Sequence, residues 1–151
     1  MEQMEEFKLV VKRDLGDTEG SGIYGDLFCK IGGKCFPTDK WQDIISSNLI
    51  MWMDEISKFI KSHRKKTCDL SFMEGPYEIH LRRRDTDSSS VLIDFLYMKN
   101  CIDMGGPVSL TQIVAEINQS VQEVLKTPPS KGQKIAYKEL QQKYEFFNNL
   151  K

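Results

Sequence analysis

Three strand patterns follow one another, with no helix pattern between them, in residues 68–98, which read CDLSFMEGPYEIHLRRRDTDSSSVLIDFLYM. Residues 77–82 alternate between apolar and polar side chains, the period of a half-buried strand. Residues 91–98 are apolar on both faces apart from Asp94, so we predict that they form a central strand of a sheet. The turn-forming residues 74–76 separate the first two strands. Consecutive strands of this kind are typical of an antiparallel sheet.

The N-terminal part of the chain shows the same succession of strands. Residues 6–15 place alternate apolar side chains on one face and predict a first strand. Residues 16–22 contain three glycines and no large apolar side chain, which indicates a loop, as does the polar run 85–90. Residues 24–36 predict a hairpin that turns at Gly32-Gly33, because glycine tolerates the positive φ of a two-residue turn.

A helix pattern follows the first hairpin, after a break at residues 37–39. Trp41 and Ile44 either begin this helix or lie on a short turn before it. The helix runs into the basic residues 61–66, whose charges suit the negative end of its dipole. Its apolar stripe at helical spacing comprises Ile45, Leu49, Trp52, Ile56 and Phe59.

Two further helix patterns follow the last strand. The first begins near Ser109, which forms a plausible capping box with Gln112. Residues 127–132 contain two prolines and are the only candidate linker. The last helix occupies residues 134–150. The apolar stripes are Leu110, Ile113, Ile117, Val121 and Val124 in the first of these helices, and Tyr137, Leu140, Tyr144 and Phe147 in the second.

The order of elements is therefore βββ-α-βββ-α-α. It predicts an α+β fold, an antiparallel sheet of about six strands with the helices packed on one face, and it disfavours doubly wound nucleotide-binding folds. We predict a core domain at residues 1–126. Residues 127–151 form a short linker and a C-terminal helix, which either docks on that domain or extends from it.

Composition excludes several classes of function. The chain has 151 residues and a net charge of −1, so it provides no excess positive field for nucleic acid or an anionic membrane. No apolar run approaches the ~18 residues of a membrane helix, and the first six residues are acidic where a signal peptide would be basic. We therefore expect a soluble, cytoplasmic protein.

The cysteines agree with that compartment. Cys29, Cys35, Cys68 and Cys101 form no Cys-x-x-Cys pair, and their spacing suits neither a zinc site nor a redox motif. We interpret all four as reduced core or strand residues. Cys29 and Cys35 would lie close across the predicted hairpin, but a cytosolic chain would not normally oxidise them.

Candidate catalytic residues are few. His63 lies in the basic helix end, and His80 lies on the polar face of a strand, where it is either a general base oriented by Glu78 or part of a surface cross-strand pair. Asp94, if buried, needs a hydrogen-bonding or basic partner, because an unpaired buried carboxylate costs several kcal/mol. No metal-ligand spacing or cofactor motif is present, so we expect neither a metal nor a cofactor. An enzyme without recognisable motifs stays as an alternative, and it would need His80 or Asp94 in a pocket.

Two basic clusters, residues 63–66 and 82–84, define a second alternative. If the fold brings them onto one face, they form a phosphate-binding stripe for nucleic acid. No aromatic residues are interleaved with them, as single-strand binding would favour. Solvated ends of secondary-structure elements are the simpler interpretation.

Four segments together resemble a recurring layout of one protein family. They are residues 36–43 (FPTDKWQD), the pair Leu49 and Trp52, residues 72–77 (FMEGPY), and the helix that begins near Ser109. This layout is similar to that of small cytosolic immunity proteins from bacterial polymorphic-toxin and contact-dependent growth inhibition systems. The resemblance implies an inhibitor, not an enzyme, that binds the C-terminal domain of a cognate toxin and blocks it, commonly by covering its active site.

The resemblance also suggests where the toxin domain binds. Toxin domains that cut nucleic acids have positive clefts, and carboxylates can take the place of the substrate phosphates there. Tryptophan is enriched among residues that dominate binding energy. From sidedness and composition, the partner-binding residues that we predict are Asp39, Trp41, Asp43, Glu74, Tyr77 and Glu78. The alternative is that Trp41, Asp43 and the turn at residues 73–77 define the fold and do not bind the toxin.

Overall fold

The computed structural model of the chain describes residues 4–15, 22–84 and 89–149. This part of the chain contains eight antiparallel strands in two four-stranded sheets, together with three α-helices. The predicted α+β class is confirmed, with two more strands than the expected six or so. Of the predicted loops at 16–22 and 85–90, residues 16–21 and 85–88 lie outside the described residues, and Ser90 belongs to a strand.

The first sheet has β2 in its centre. Strand β1 pairs with one edge of β2, and both β3 and β4 pair with the other edge. The predicted hairpin turn is confirmed: Ile31 pairs with Lys34, and Gly32 and Gly33 have φ values of 55° and 79°. The strands are β1 (Phe7–Arg13), β2 (Tyr24–Ile31), β3 (Lys34–Phe36) and β4 (Gln42–Ile44).

Strand β4 settles the position of Trp41 and Ile44. Ile44 ends a short strand that pairs with Tyr24 to Asp26, and the carbonyl of Trp41 accepts a hydrogen bond from Leu27 at 2.8 Å. Trp41 therefore lies just before a short strand, and Ile44 both ends this strand and is the N-cap of the helix that follows. A three-residue strand is too short to show a period in the sequence.

The second sheet is a meander in the order β5-β6-β7-β8. Its strands are β5 (Thr67–Ser71), β6 (Tyr77–Arg83), β7 (Ser90–Tyr97) and β8 (Asn100–Ser109). The prediction that residues 91–98 form a central strand is confirmed by β7, which has a neighbour on each side. Strand β8 contradicts the prediction that residues 105–107 end the block. Pro107 is tolerated because β8 is at the edge of its sheet, where a missing N–H costs no ladder bond.

The helices are α1 (Ile45–Lys61), α2 (Leu110–Leu125) and α3 (Lys134–Asn148). All five residues of the stripe predicted for α1 are buried. Ser109 caps α2 by accepting a hydrogen bond from the backbone of Gln112, as predicted, but the Gln112 side chain accepts from the Phe7 backbone instead of closing the box. No helix in the described ranges is long and apolar enough to cross a membrane.

One continuous hydrophobic core joins both sheets and all three helices. Helix α3 packs mainly against α1 and α2. Cys29 faces this core opposite Phe36, whereas Cys35 pairs with Lys30 and faces away. The two thiols are therefore on opposite faces of the hairpin, and both are free.

Two turns at one end of the second sheet are joined to each other. The backbone N–H of Met98, between β7 and β8, donates to the carbonyl of Pro76, between β5 and β6, at 2.8 Å. Trp41, which precedes β4, packs beside the same turn at Gly75. The fold thus brings residues from three distant segments to one end of the molecule.

Candidate functional site

Three aromatic rings lie in contact where these segments meet. The ring centroids of Trp41 and Tyr77 are 5.2 Å apart in an edge-to-face arrangement, and those of Tyr77 and Tyr97 are 5.1 Å apart. The adjoining turns add two exposed methionines, Met73 (49% exposed) and Met98 (60% exposed). We call these five residues the aromatic patch. Exposed apolar side chains grouped in this way are typical of binding surfaces.

The Asp43 carboxylate supports the patch from inside. It is only 2% exposed. It accepts hydrogen bonds from the Trp41 indole (2.8 Å), the Asn48 amide (2.6 Å), and the backbone N–H groups of Ile44 (2.7 Å) and Glu74 (3.2 Å). A buried carboxylate with several donors fixes the groups around it. Asp43, predicted as a partner-binding residue, therefore lies in the interior and positions Trp41 and the turn at residues 73–76.

Asn48, which is not among the predicted site residues, extends this support. Its side-chain oxygen accepts from the backbone of Met73 at 3.1 Å while its amide donates to Asp43. One turn further along the same helix, the Trp52 indole donates to the carbonyl of Ser71 at 2.7 Å. Asn48 is fully buried beside Leu49 of the apolar stripe. The position of a polar residue beside the apolar stripe was the feature of the sequence that could have indicated a buried hydrogen-bonding side chain.

Backbone strain is concentrated at the patch. Among the described residues, the non-glycine residues with positive φ are Lys40 (58°), Met98 (51°) and Lys99 (68°). Lys40 directly precedes Trp41, and Met98 and Lys99 form the two-residue turn between paired Tyr97 and Asn100. Such a conformation costs roughly 1 kcal/mol or more per residue and favours glycine or asparagine. Strain of this kind is often retained at binding and catalytic sites.

The remaining predicted residues do not all lie together. Glu74 and Tyr77 are at the patch, and Asp39 is exposed in the turn before Trp41. Glu78 projects from the other face of β6, where it accepts hydrogen bonds from Lys99 and from Ser71 (3.4 Å). This hydrogen bond with Glu78 raises the pKa of Lys99. Glu78 thus points away from the aromatic rings, yet it lines one pocket together with Tyr77, Met98 and Lys99.

The outward face of the second sheet pairs its own charges. His80 contacts Asp69 on the neighbouring strand at 2.5 Å, so its orienting partner is not Glu78. Asp94 is 8% exposed and accepts two hydrogen bonds from Arg82, at 2.7 and 3.3 Å. Arg82 is the basic partner that a buried carboxylate requires. The hydrogen bond to Asp94 in turn raises the pKa of Arg82. We call this surface the charge-paired face: Asp69, Glu78, His80, Arg82, Asp94 and Lys99.

Arg83, in the second basic cluster, caps helix α1. Its guanidinium donates to the carbonyls of Phe59, Ser62 (3.2 Å) and Lys65 (2.8 Å), and it stacks over the Phe59 ring at 4.1 Å. Positive charge at a helix C-terminus satisfies the carbonyls that lack a helical partner. The two basic clusters do meet here, but Arg82 and Arg83 project from opposite faces of β6. Both arginines are therefore engaged within the chain.

A cleft of about 230 Å³ opens beside Trp41. Its lining residues are Tyr24, Trp41, Gln42, Asp43 and Glu74. Asp43 forms part of the wall while its oxygens are held by the donors described above. The cleft thus continues from the aromatic patch toward the first sheet.

Comparison of this chain with protein-family models, with curated protein sequences and with solved structures found no match.

Proposed function

We propose that this protein binds another protein through the aromatic patch, and that the partner is the toxin domain that it neutralises as an immunity protein. The observation that carries the proposal is the patch itself. Tyr97 contacts Tyr77, Met98 lines a pocket with Tyr77, and Met73 lies in the turn on which Trp41 packs. Asp43 holds this backbone from inside.

The composition of the patch supports protein binding. Tyrosine, tryptophan and methionine are enriched in the centres of protein interfaces, and tryptophan and tyrosine dominate their energetics. The Trp41 ring is held by its indole hydrogen bond and by Tyr77, so little side-chain freedom is lost on binding. Rings fixed before binding raise affinity by lowering this entropic cost.

The segments behind the family resemblance converge at the same place. Residues 36–43 and 72–77 are far apart in the chain, yet Trp41 packs on Tyr77, and Phe36 contacts Phe72 at 5.9 Å between ring centroids. A layout that serves binding would place its recurrent segments on one surface. This convergence supports the inhibitor proposal over the enzyme and nucleic-acid alternatives.

Two acidic residues give the surface its charge. Asp39 and Glu74 are both exposed next to the rings. Their charges would steer a partner with a positive cleft and speed its association, whereas the apolar patch would supply most of the affinity. In this mechanism the bound inhibitor covers the cleft of the toxin domain and excludes its substrate.

The test is a capture experiment with matched variants. The tagged protein is purified from its native cell together with its partner, and the partner is identified by mass spectrometry. The partner's C-terminal domain is then expressed in a second host with each variant. We expect the wild-type chain to bind this domain and restore growth, and the double variant Tyr97→Ala/Met98→Ala to lose both.

The control variant is Phe146→Ala on helix α3. Phe146 is 71% exposed, so its loss removes a comparable exposed apolar side chain from a helix that contributes no residue to the patch. We expect this variant to bind and protect as the wild type does. The proposal fails if the captured domain is harmless when expressed alone, or if binding is lost in Phe146→Ala and kept in the double variant.

A further inference from the structure

The cleft beside Trp41 combines aromatic walls with negative charge. Tyr24 and Trp41 supply the rings, and Asp43 and Glu74 supply two carboxylates. Gln42 completes the lining, and its amide donates to Asp26, a third carboxylate close by. No basic side chain is among these lining residues. The chemistry of the walls therefore favours a cation.

Of these two carboxylates, that of Glu74 is free to bind a ligand. The oxygens of Asp43 are occupied by donors from the chain, whereas Glu74 uses only its backbone N–H in that network. The Glu74 side chain has no hydrogen bond or ion pair with any residue in the described ranges, and it is exposed at the rim of the cleft. A cation entering the cleft would meet the Glu74 carboxylate as a free acceptor.

The geometry points to an arginine side chain of the bound protein as the occupant of this cleft. This inference rests on the proposed function, because it assigns one contact within the proposed interface. A guanidinium is planar and weakly hydrated, so it stacks on aromatic rings and donates two parallel hydrogen bonds to one carboxylate. A lysine ammonium is compact and strongly hydrated, and it cannot do both at once.

Orientation of the Trp41 ring strengthens the assignment. The indole N–H is bound to Asp43 and the six-membered ring rests against Gly75, which has a φ of 106°. A Cβ at this position would lie 3.3 Å from the ring, so glycine permits both the turn and the close contact. The ring is thus fixed at the cleft before any ligand arrives, which lowers the cost of stacking.

The test uses the two tryptophans as an internal pair. The indole N–H of Trp41 lies at the cleft, whereas that of Trp52 is buried against Ser71. In a ¹H–¹⁵N spectrum of the free protein, N-acetyl-arginine methylamide is titrated and both indole resonances are followed. We expect the Trp41 resonance to shift saturably, with a Kd on the order of 10 mM for this single side chain, and the Trp52 resonance to stay.

Matched probes and a matched variant complete the test. The citrulline analogue has the shape of arginine without its charge, and it should produce no saturable shift. The lysine analogue should bind at least about threefold more weakly. Glu74→Gln keeps the size of the side chain and should weaken arginine binding by about five- to tenfold. Equal binding of citrulline or lysine, an unchanged affinity in Glu74→Gln, or no Trp41 shift at all would overturn the inference.

The outcome separates this inference from the proposed function. If the arginine probe fails while Tyr97→Ala/Met98→Ala still abolishes capture of the partner, the cleft assignment is wrong and the protein interface stands. If the arginine probe binds as expected and no toxin domain is captured, the cleft stands and the inhibitor proposal fails.

Discussion

Two surfaces of the molecule use polar residues in opposite ways. On the charge-paired face, Arg82 binds Asp94 and His80 hydrogen-bonds with Asp69, so the polar groups satisfy one another at the surface. At the aromatic patch, the buried Asp43 instead binds backbone and side-chain donors beneath the surface. The polar groups of the patch therefore fix its shape, and its exposed side chains are left apolar.

This difference favours the aromatic patch as the surface that binds the proposed partner. A face whose charges are already paired gains little from a new contact, because each pair would have to be broken or desolvated first. Exposed Tyr97 and Met98 lose only water when a partner covers them. The strained Met98-Lys99 turn is retained although a turn of asparagine and glycine would be more stable.

The largest expected effect is that of Asp43→Ala. The variant leaves the Trp41 indole and two backbone N–H groups without their acceptor, and the Asn48 amide keeps only its hydrogen bond to the carbonyl of Ile44. Buried unpaired donors cost about 1–3 kcal/mol each, and neighbouring losses are not additive, so we expect the free energy of unfolding to fall by about 3–5 kcal/mol. Urea denaturation measures this change.

Asp94→Ala is the matched control on the charge-paired face. Asp94 is nearly as buried as Asp43, but its partner Arg82 is partly exposed and can turn to water. We expect a loss of about 1–2 kcal/mol. A loss in Asp94→Ala as large as that in Asp43→Ala would contradict the distinction between the two surfaces.

Met98→Asn should have the opposite sign. Asparagine adopts a positive φ more readily than methionine, so we expect the free energy of unfolding to rise by up to about 1 kcal/mol and the melting temperature to rise with it. The same change removes an exposed apolar side chain from the patch, so capture of the partner should weaken. Thermal denaturation and the capture assay measure the two effects together.

Ile102→Asn is the control for this variant. Ile102 is 56% exposed, close to the 60% of Met98, but it lies in β8, where asparagine has a low strand propensity. We expect this variant to be slightly destabilised and to bind normally. Equal destabilisation of both variants would show that the turn at Met98 is not strained.

Much of this fold could be predicted because its elements have clear periods. The stripe from Ile45 to Phe59 marked α1, and Gly32-Gly33 marked the first hairpin. Strand β8 could not be predicted, because its hairpin turns at Met98-Lys99 without glycine and its later part contains Pro107. At the Met98-Lys99 turn and at Pro107, the intrinsic preferences of the residues oppose the conformation that strand pairing imposes.

The candidate site was predictable only in part, for a similar reason. Trp41, Glu74 and Tyr77 were identified from residue type and meet at the patch. The interior position of Asp43 depends on contacts with residues 31 positions away, which no local pattern reports. Tyr97 was not predicted, because the sequence of an apolar strand does not show that the side chain at its end is exposed.

A smaller effect is expected for the pair of Arg82 and Asp94. The pair is hydrogen-bonded through two nitrogens, yet the arginine is 38% exposed and solvent screens the interaction. A double-mutant cycle with Arg82→Ala and Asp94→Ala should give a coupling energy of about 1 kcal/mol or less, which falls further at high salt. A coupling energy near 3 kcal/mol would mean that the pair contributes strongly to the stability of the sheet and is not a weak, solvent-screened surface pair.

The smallest effect concerns the titration of Lys99. Its hydrogen bond to Glu78 raises its pKa above the ordinary value of 10.5. A lysine with a raised folded-state pKa adds stability that is fully present below the unfolded-state pKa, and this stability is lost as the pH rises through the folded-state value. NMR titration of the Lys99 side chain should therefore report a pKa above 10.5, and Glu78→Gln should lower this pKa.

Trp41→Ala is the control and should leave the pKa of Lys99 unchanged. The partner of Lys99 is Glu78, which projects from the face of β6 opposite the rings and takes no part in fixing them. A shift in Trp41→Ala as large as that in Glu78→Gln would show instead that the two surfaces are coupled through the Met98-Lys99 turn.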